Sequence, residues 1–184
     1  MKNVLIIHGT VNNHTGNWFP WLKKELESKG YVVWCPDLPD ADHPDQDKYL
    51  HVLLGNPDWH YDKESIIVGH SSGGVAALKL VQHLPEGVVI DKCITAGASY
   101  VVHGADPIGG LFREPYDFEK IKHHAMKFVV YQSDNDPHVP LEDGKLLATV
   151  LGAEGIFPSG QGHFNLEMGE KYRKFPAILE KILE

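Results

Sequence analysis

Apolar residues along the chain fall into six short, continuous runs: NVLII (3–7), YVVWC (31–35), SIIVG (65–69), VVIDKCITAG (88–97), KFVVYQ (127–132) and EGIFP (154–158). They are rich in β-branched side chains, and most end in Gly, Pro, Asp or His. Runs of this length without polar alternation are the pattern of strands covered on both faces, as in a parallel sheet. Between them the period lengthens to that of a helix. WFPWLKKELESKG (18–30) sets Trp18, Trp21, Leu22 and Leu26 on one face, admits Pro20 in its first turn and stops at Gly30. GGVAALKLVQHL (73–84) repeats Val75, Leu78 and Val81 or Gln82, with alanines that let a helix lie close to a sheet. LEDGKLLATVLG (141–152) and EMGEKYRKFPAILEKILE (167–184) complete the set, the last expected to break or kink at Pro176.

Strand and helix alternate from end to end, with no internal repeat and no linker. That order predicts one α/β domain over residues 1–184, a three-layer αβα arrangement around a mostly or wholly parallel six-stranded sheet joined by right-handed crossovers. Two connections are longer than usual, the acidic PDLPDADHPDQD (36–47) and SYVVHGADPIGGLFREPYDF (99–118). Long loops after strands are where open α/β sheets build their sites.

The third run leads into Gly69-His70-Ser71-Ser72-Gly73, a G-x-S-x-G motif centred on Ser71. An attacking serine needs a sharp strand-to-helix turn that exposes its hydroxyl, and the flanking glycines remove side chains that would collide across it. Ser72 lacks the glycine two residues before it. With glycine this frequent, chance supplies roughly 0.07 such matches in the chain. A phosphate-binding G-x-G-x-x-G order is absent.

Serine also needs a base, oriented by a carboxylate. Of the histidines beyond the motif, His163 lies in a glycine-rich loop between the last strand and the last helix. His83 falls on the helix after the motif, and His123 and His124 precede a strand, at the opposite edge. His103 lies in the long loop, and His138 is the rival, close to the acid loop. FVVYQSDNDPHVP (128–140) offers two carboxylates after the fifth strand. Asp136 lies deeper in the turn and is the better placed; Asp134 reads as a turn former holding the loop. Negative charge developing on a substrate carbonyl needs two N–H donors. The Ser72 N–H, at a helix N-terminus, is one, and the N–H of Thr10 or Val11, after His8-Gly9, is the other. His8 itself reads as a buried structural imidazole.

With Ser71, Asp136, His163 and the His8-Gly9 loop in place, the chain resembles the α/β-hydrolase superfamily. It is most similar to the small serine hydrolases of the retinoblastoma-binding protein nine type, through WFPWLKKELESKG, GHSSGG, KFVVYQSDNDPHVP and GQGHFN. The resemblance implies a reduced hydrolase core with strand order 2-1-3-4-5-6, all parallel. It also implies Ser71 as nucleophile, Asp136 as orienting acid and His163 as base.

The remaining composition narrows the choice. A net charge of −8 argues against a nucleic-acid partner. No zinc-ligand spacing occurs among the histidines, and the aspartates at 37, 40, 42, 45 and 47 lack the order of a calcium loop, so neither metal nor cofactor is expected. The tryptophans read as core, with Trp18 or Trp59 able to line the site. Cys35 and Cys93 sit in apolar runs and read as core thiols, and the first apolar run is too short for a signal or a membrane span, which points to the cytoplasm. The expectation is a hydrolase acting on a small ester, thioester or amide with no membrane association. The alternatives are an acyltransferase, or a protein-binding scaffold on the same fold.

Overall fold

A computed structural model describes residues 1–102 and 108–184. Its six strands are β1 (Asn3–Ile7), β2 (Val32–Trp34), β3 (Ser65–His70), β4 (Ile90–Ala96), β5 (Ala125–Tyr131) and β6 (Glu154–Ile156). They form one sheet in the order β2-β1-β3-β4-β5-β6, with every neighbouring pair parallel. The helices are α1 (Phe19–Glu27), α2 (Gln46–Gly55), α3 (Ser72–Gln82), α4 (Phe118–His123), α5 (Leu141–Leu151) and α6 (Pro176–Leu183).

In the inner strands the continuous apolar runs follow from burial on both sides. In β1, Leu5 and Ile7 join a core with α2, α3, α4 and α5, whereas Val4 and Ile6 join a second core with α1 and α6. All four are fully buried. Register then assembles the site. Ile7 lies opposite Gly69, Gly69 opposite Thr95, and Ala96 opposite both His70 and Tyr131. The C-terminal ends of β1, β3, β4 and β5 are therefore level, and the loops after them open at one edge.

Two regions differ from the sequence expectation. The acidic segment 36–47 is a loop only to Asp45, whose carboxylate accepts from the N–H groups of Asp47 and Lys48 and caps α2. At the C-terminus, Pro176 starts α6 rather than kinking a longer helix, because proline at the first helical position lacks only an N–H that would be orphaned there. Before it come two short 3₁₀ turns, Leu166–Met168 and Glu170–Arg173. In the 99–118 segment, residues 103–107, including His103, lie outside the described residues. Of the rest, Leu111 is fully buried in the core, and Arg113 is paired with Asp45 and Asp47.

Candidate active site

β3 ends at His70 and α3 begins at Ser72, so Ser71 makes the whole turn alone, at φ 56 and ψ −128. A non-glycine residue there is strained, and the neighbours hold it. The Ser71 N–H donates to the Ala96 carbonyl (2.8 Å), and its own carbonyl accepts from Gly74 N–H (2.8 Å). The flanking glycines have a steric cause. A Cβ on Gly69 would lie 2.3 Å from the Gly73 carbonyl oxygen, and one on Gly73 would lie 2.3 Å from that of Ile7.

The segment after β5 holds Asp136, whose side chain is fully buried. Its Oδ2 accepts from His163 Nδ1–H (2.8 Å) and Gln132 Nε2 (3.0 Å). Its Oδ1 accepts from the N–H groups of His138 (2.9 Å) and Val139 (3.1 Å). Burial pushes this carboxyl upward, but the bond and charge of His163 and the two backbone donors outweigh it and hold the group below the ordinary carboxylate range. A carboxylate accepts, so Nδ1 of His163 carries a proton, and in the neutral ring Nε2 is the bare nitrogen.

The SDND segment makes further bonds to the His163 loop. Asp134 Oδ1 accepts from Gly160 N–H (2.8 Å), Ser133 Oγ from Gln161 N–H (2.8 Å), and Asn135 Oδ1 from Gly162 N–H (2.7 Å). Residues 133–136 thus bind residues 160–163 one for one. Asp134 does hold a loop, but the neighbouring one rather than its own. Gly97 (φ 64), at the end of β4, leaves room for the pair: a Cβ there would lie 2.9 Å from His163 Nδ1 and 3.4 Å from Asp136 Oδ2. Ser133, Asn135 and Gly97 were not singled out from the sequence, although the first two lie within the SDND motif.

On the β1 side, His8 is buried as expected. Its Nε2 accepts from Leu38 N–H (2.9 Å), so Nδ1 holds the proton and donates to the Gly9 carbonyl (2.9 Å). Thr10 Oγ1 donates to Ser72 Oγ (2.8 Å), linking this loop to the start of α3. The Val11 N–H is engaged by the Ala41 carbonyl at 3.1 Å.

Thr10, Val11, Ser71, Ser72 and His163 share the wall of one cavity of about 530 Å³, with Val75, Val101, Ile108, Val139 and Leu166 as its apolar surfaces. His138 stands on the rim, its ring edge-on to His163 at 4.8 Å. His83 caps the far end of α3, and His123 and His124 end α4. Trp18 lies in the core behind His163, and Trp59 packs on Trp34. The two thiols are unpaired, sit in cores on opposite sheet faces, and are pushed up to about 12 by burial, so neither offers a ready thiolate nucleophile.

An all-parallel six-stranded sheet flanked by helices, with a strained serine between strand and helix at its edge, defines an α/β-hydrolase. The serine hydrolase family model matches residues 4–183, and the chain belongs to that family. Among relatives, it is 27% identical over 172 residues to serine hydrolase RBBP9 of Rattus norvegicus, covering 92% of this chain and 90% of that one. It is 28% identical over 181 residues to YdeN of Bacillus subtilis (strain 168), covering 97% and 93%. The crystal structure of the B. subtilis ydeN gene product superposes with a TM-score of 0.91 at 25% identity, covering 100% of this chain and 97% of that one. The protein is therefore a serine hydrolase. Among the described residues, no helix is long and apolar enough to cross a membrane.

Proposed function

We propose that this hydrolase cleaves a small carboxylic ester, or a related thioester or amide, through an acyl-enzyme on Ser71. The observation that carries the proposal is the 2.8 Å bond from His163 Nδ1–H to buried Asp136, which makes Nε2 the basic nitrogen of the neutral imidazole, on a ring that shares a cavity wall with Ser71. In this reading Nε2 takes the Ser71 hydroxyl proton as Oγ bonds to the substrate carbonyl carbon. The resulting imidazolium, stabilised by the Asp136 carboxylate, returns the proton to the leaving oxygen, sulfur or nitrogen as its bond to carbon breaks. Water then repeats the sequence to release the acid.

The Ser72 N–H, at the positive end of α3, stabilises the tetrahedral oxyanion. The Val11 N–H already has an acceptor, which favours Thr10 as the second donor. His8 supports that geometry: by holding the Gly9 carbonyl, it directs the N–H of the same trans peptide, that of Thr10, the opposite way. A cavity of about 530 Å³ with short aliphatic walls suits a small-molecule substrate. The two free thiols suit a reducing compartment, consistent with a cytoplasmic single-domain enzyme.

The test is labelling by a fluorophosphonate probe, together with turnover across a p-nitrophenyl acyl-chain series. Wild type and Ser72→Ala are expected to label, and Ser71→Ala to do neither. Equal labelling of Ser71→Ala would overturn the proposal. So would absence of both labelling and turnover in the wild type, the outcome that favours the scaffold alternative.

A further inference from the structure

Three side chains with no part in that proton transfer converge on the backbone of the His163 loop. His70 Nε2 lies 2.8 Å from the His163 carbonyl. Trp18 Nε1–H donates to the Phe164 carbonyl (3.0 Å), and Asn17 Oδ1 accepts from Leu166 N–H (3.1 Å). We propose that His70, Trp18 and Asn17 are positioning residues, a clamp that fixes the His163 imidazole relative to Ser71.

The loop needs such a clamp. Phe164 is a fully buried aromatic residue at φ 53, a conformation that bulky residues hold only when their surroundings enforce it. The SDND contacts end at residue 163. The clamp takes over there and ties down the next peptide groups on both sides of the strained residue.

His70 is the keystone because it adjoins Ser71. It ends β3, a strand paired on both sides, so nucleophile and base loop hang from the same rigid strand end. Its ring stands 5.0 Å from that of His163, with Trp18 and Phe19 each 6.0 Å away. A carbonyl only accepts, so Nε2 carries the proton and Nδ1 is a bare lone pair. That Nδ1 is buried with no partner among the described residues, a cost that a leucine or phenylalanine filling the same space would not carry. The donated bond is the feature that a hydrocarbon cannot supply. Burial, then the neighbouring His163 charge, pushes the His70 pKa down to about 3, so the donor does not change across the working range.

The inference rests on the acyl-enzyme reading above, and the test separates the two. Turnover of a short p-nitrophenyl ester is measured well below each variant's Tm for wild type, Ser71→Ala, His70→Phe, His70→Gln and Asn17→Gly. His70→Phe is expected to lose about 10- to 100-fold in kcat with KM changed less than about twofold, as for a displaced base. His70→Gln, which places an amide N–H at the same reach, is expected to recover kcat to within about threefold of wild type. Asn17→Gly relieves a φ of 47 while deleting the tie to Leu166. It is expected to keep the wild-type Tm and lose about 10-fold in kcat. Wild-type kcat in both His70→Phe and Asn17→Gly, or a His70→Gln as impaired as His70→Phe, would overturn the clamp while leaving hydrolysis standing. If His70→Phe does not fold, Asn17→Gly decides. An inactive wild type would overturn both.

Discussion

Gly97→Ala places one methyl group against the His163–Asp136 pair. The new Cβ would lie 2.9 Å from His163 Nδ1, 3.0 Å from His163 Cε1 and 3.4 Å from Asp136 Oδ2. Comfortable contact is about 3.5–4.0 Å, so the imidazole must withdraw by roughly 0.5–1 Å. The backbone adds a second cost, since φ is 64 and a side chain in the left-handed region is disfavoured by about 1–2 kcal/mol. For a chain of this size that term alone lowers Tm by about 2–8 °C. The ring displacement falls on catalysis, because a misplacement of about 1 Å costs about 100-fold, or roughly 2.7 kcal/mol of barrier. The assay is kcat/KM on a short p-nitrophenyl ester at a temperature where calorimetry shows the variant folded. A folded Gly97→Ala protein with kcat/KM within about threefold of wild type would refute the claim that the His163–Asp136 bond controls the rate.

Acid should withdraw stability through His70. Its folded pKa is pushed down to about 3 by burial, so on acidification the unfolded chain takes the proton first. The stability it supplies is whole above pH ~6.5 and is lost as the pH falls toward about 3, with on the order of 2–3 kcal/mol gone at pH ~4.5. His163, Asp136 and His138 also act on this ring, so the check is urea unfolding from pH ~7 to ~4.5 in wild type against His70→Gln, which should lack this portion of the slope. Lys79 is buried, donates to the carbonyls of Glu114 (2.7 Å) and Pro115 (3.3 Å), and lies 3.9 Å from the Tyr116 ring centroid. Lys79→Ala should cost about 2–4 kcal/mol in urea unfolding, because it removes the donor to the Glu114 carbonyl and leaves a void beside an aromatic ring. Val11 is β-branched, 76% exposed and held at φ 52. Val11→Gly should raise Tm by about 2–4 °C in calorimetry by removing that strain.

Much of this fold is legible along the chain because it is written in local patterns. The six apolar runs became the six strands, and in the four inner ones burial on both faces removes polar alternation and leaves a continuous run. The turn at Ser71 was equally visible, because the glycines on either side answer to backbone atoms only a few residues away or on the adjoining strand. Asp136 and His163 could be placed by topology, and the structure brings them together.

What escaped notice depends on partners distant in sequence. Nothing near Gly97 announces that two side chains from later loops will close over it. Ser133 and Asn135 read as polar turn residues until the 160–163 loop is laid beside them. Tyr49 and Leu53 of α2 follow so acidic a stretch that its capping aspartate passed for more loop. The Val11 N–H likewise meets the carbonyl of Ala41, a residue that no local pattern links to it.

The central claim, an acyl-enzyme on Ser71, is tested most directly by trapping it. A p-nitrophenyl ester is mixed with the wild-type chain, quenched in acid before turnover completes, and the digest is mapped by mass spectrometry. The account predicts one acyl group on the peptide carrying residues 65–78, assigned by fragmentation to Ser71 and absent from Ser71→Ala. An acyl group on any other residue, or the same modification in Ser71→Ala, would contradict it.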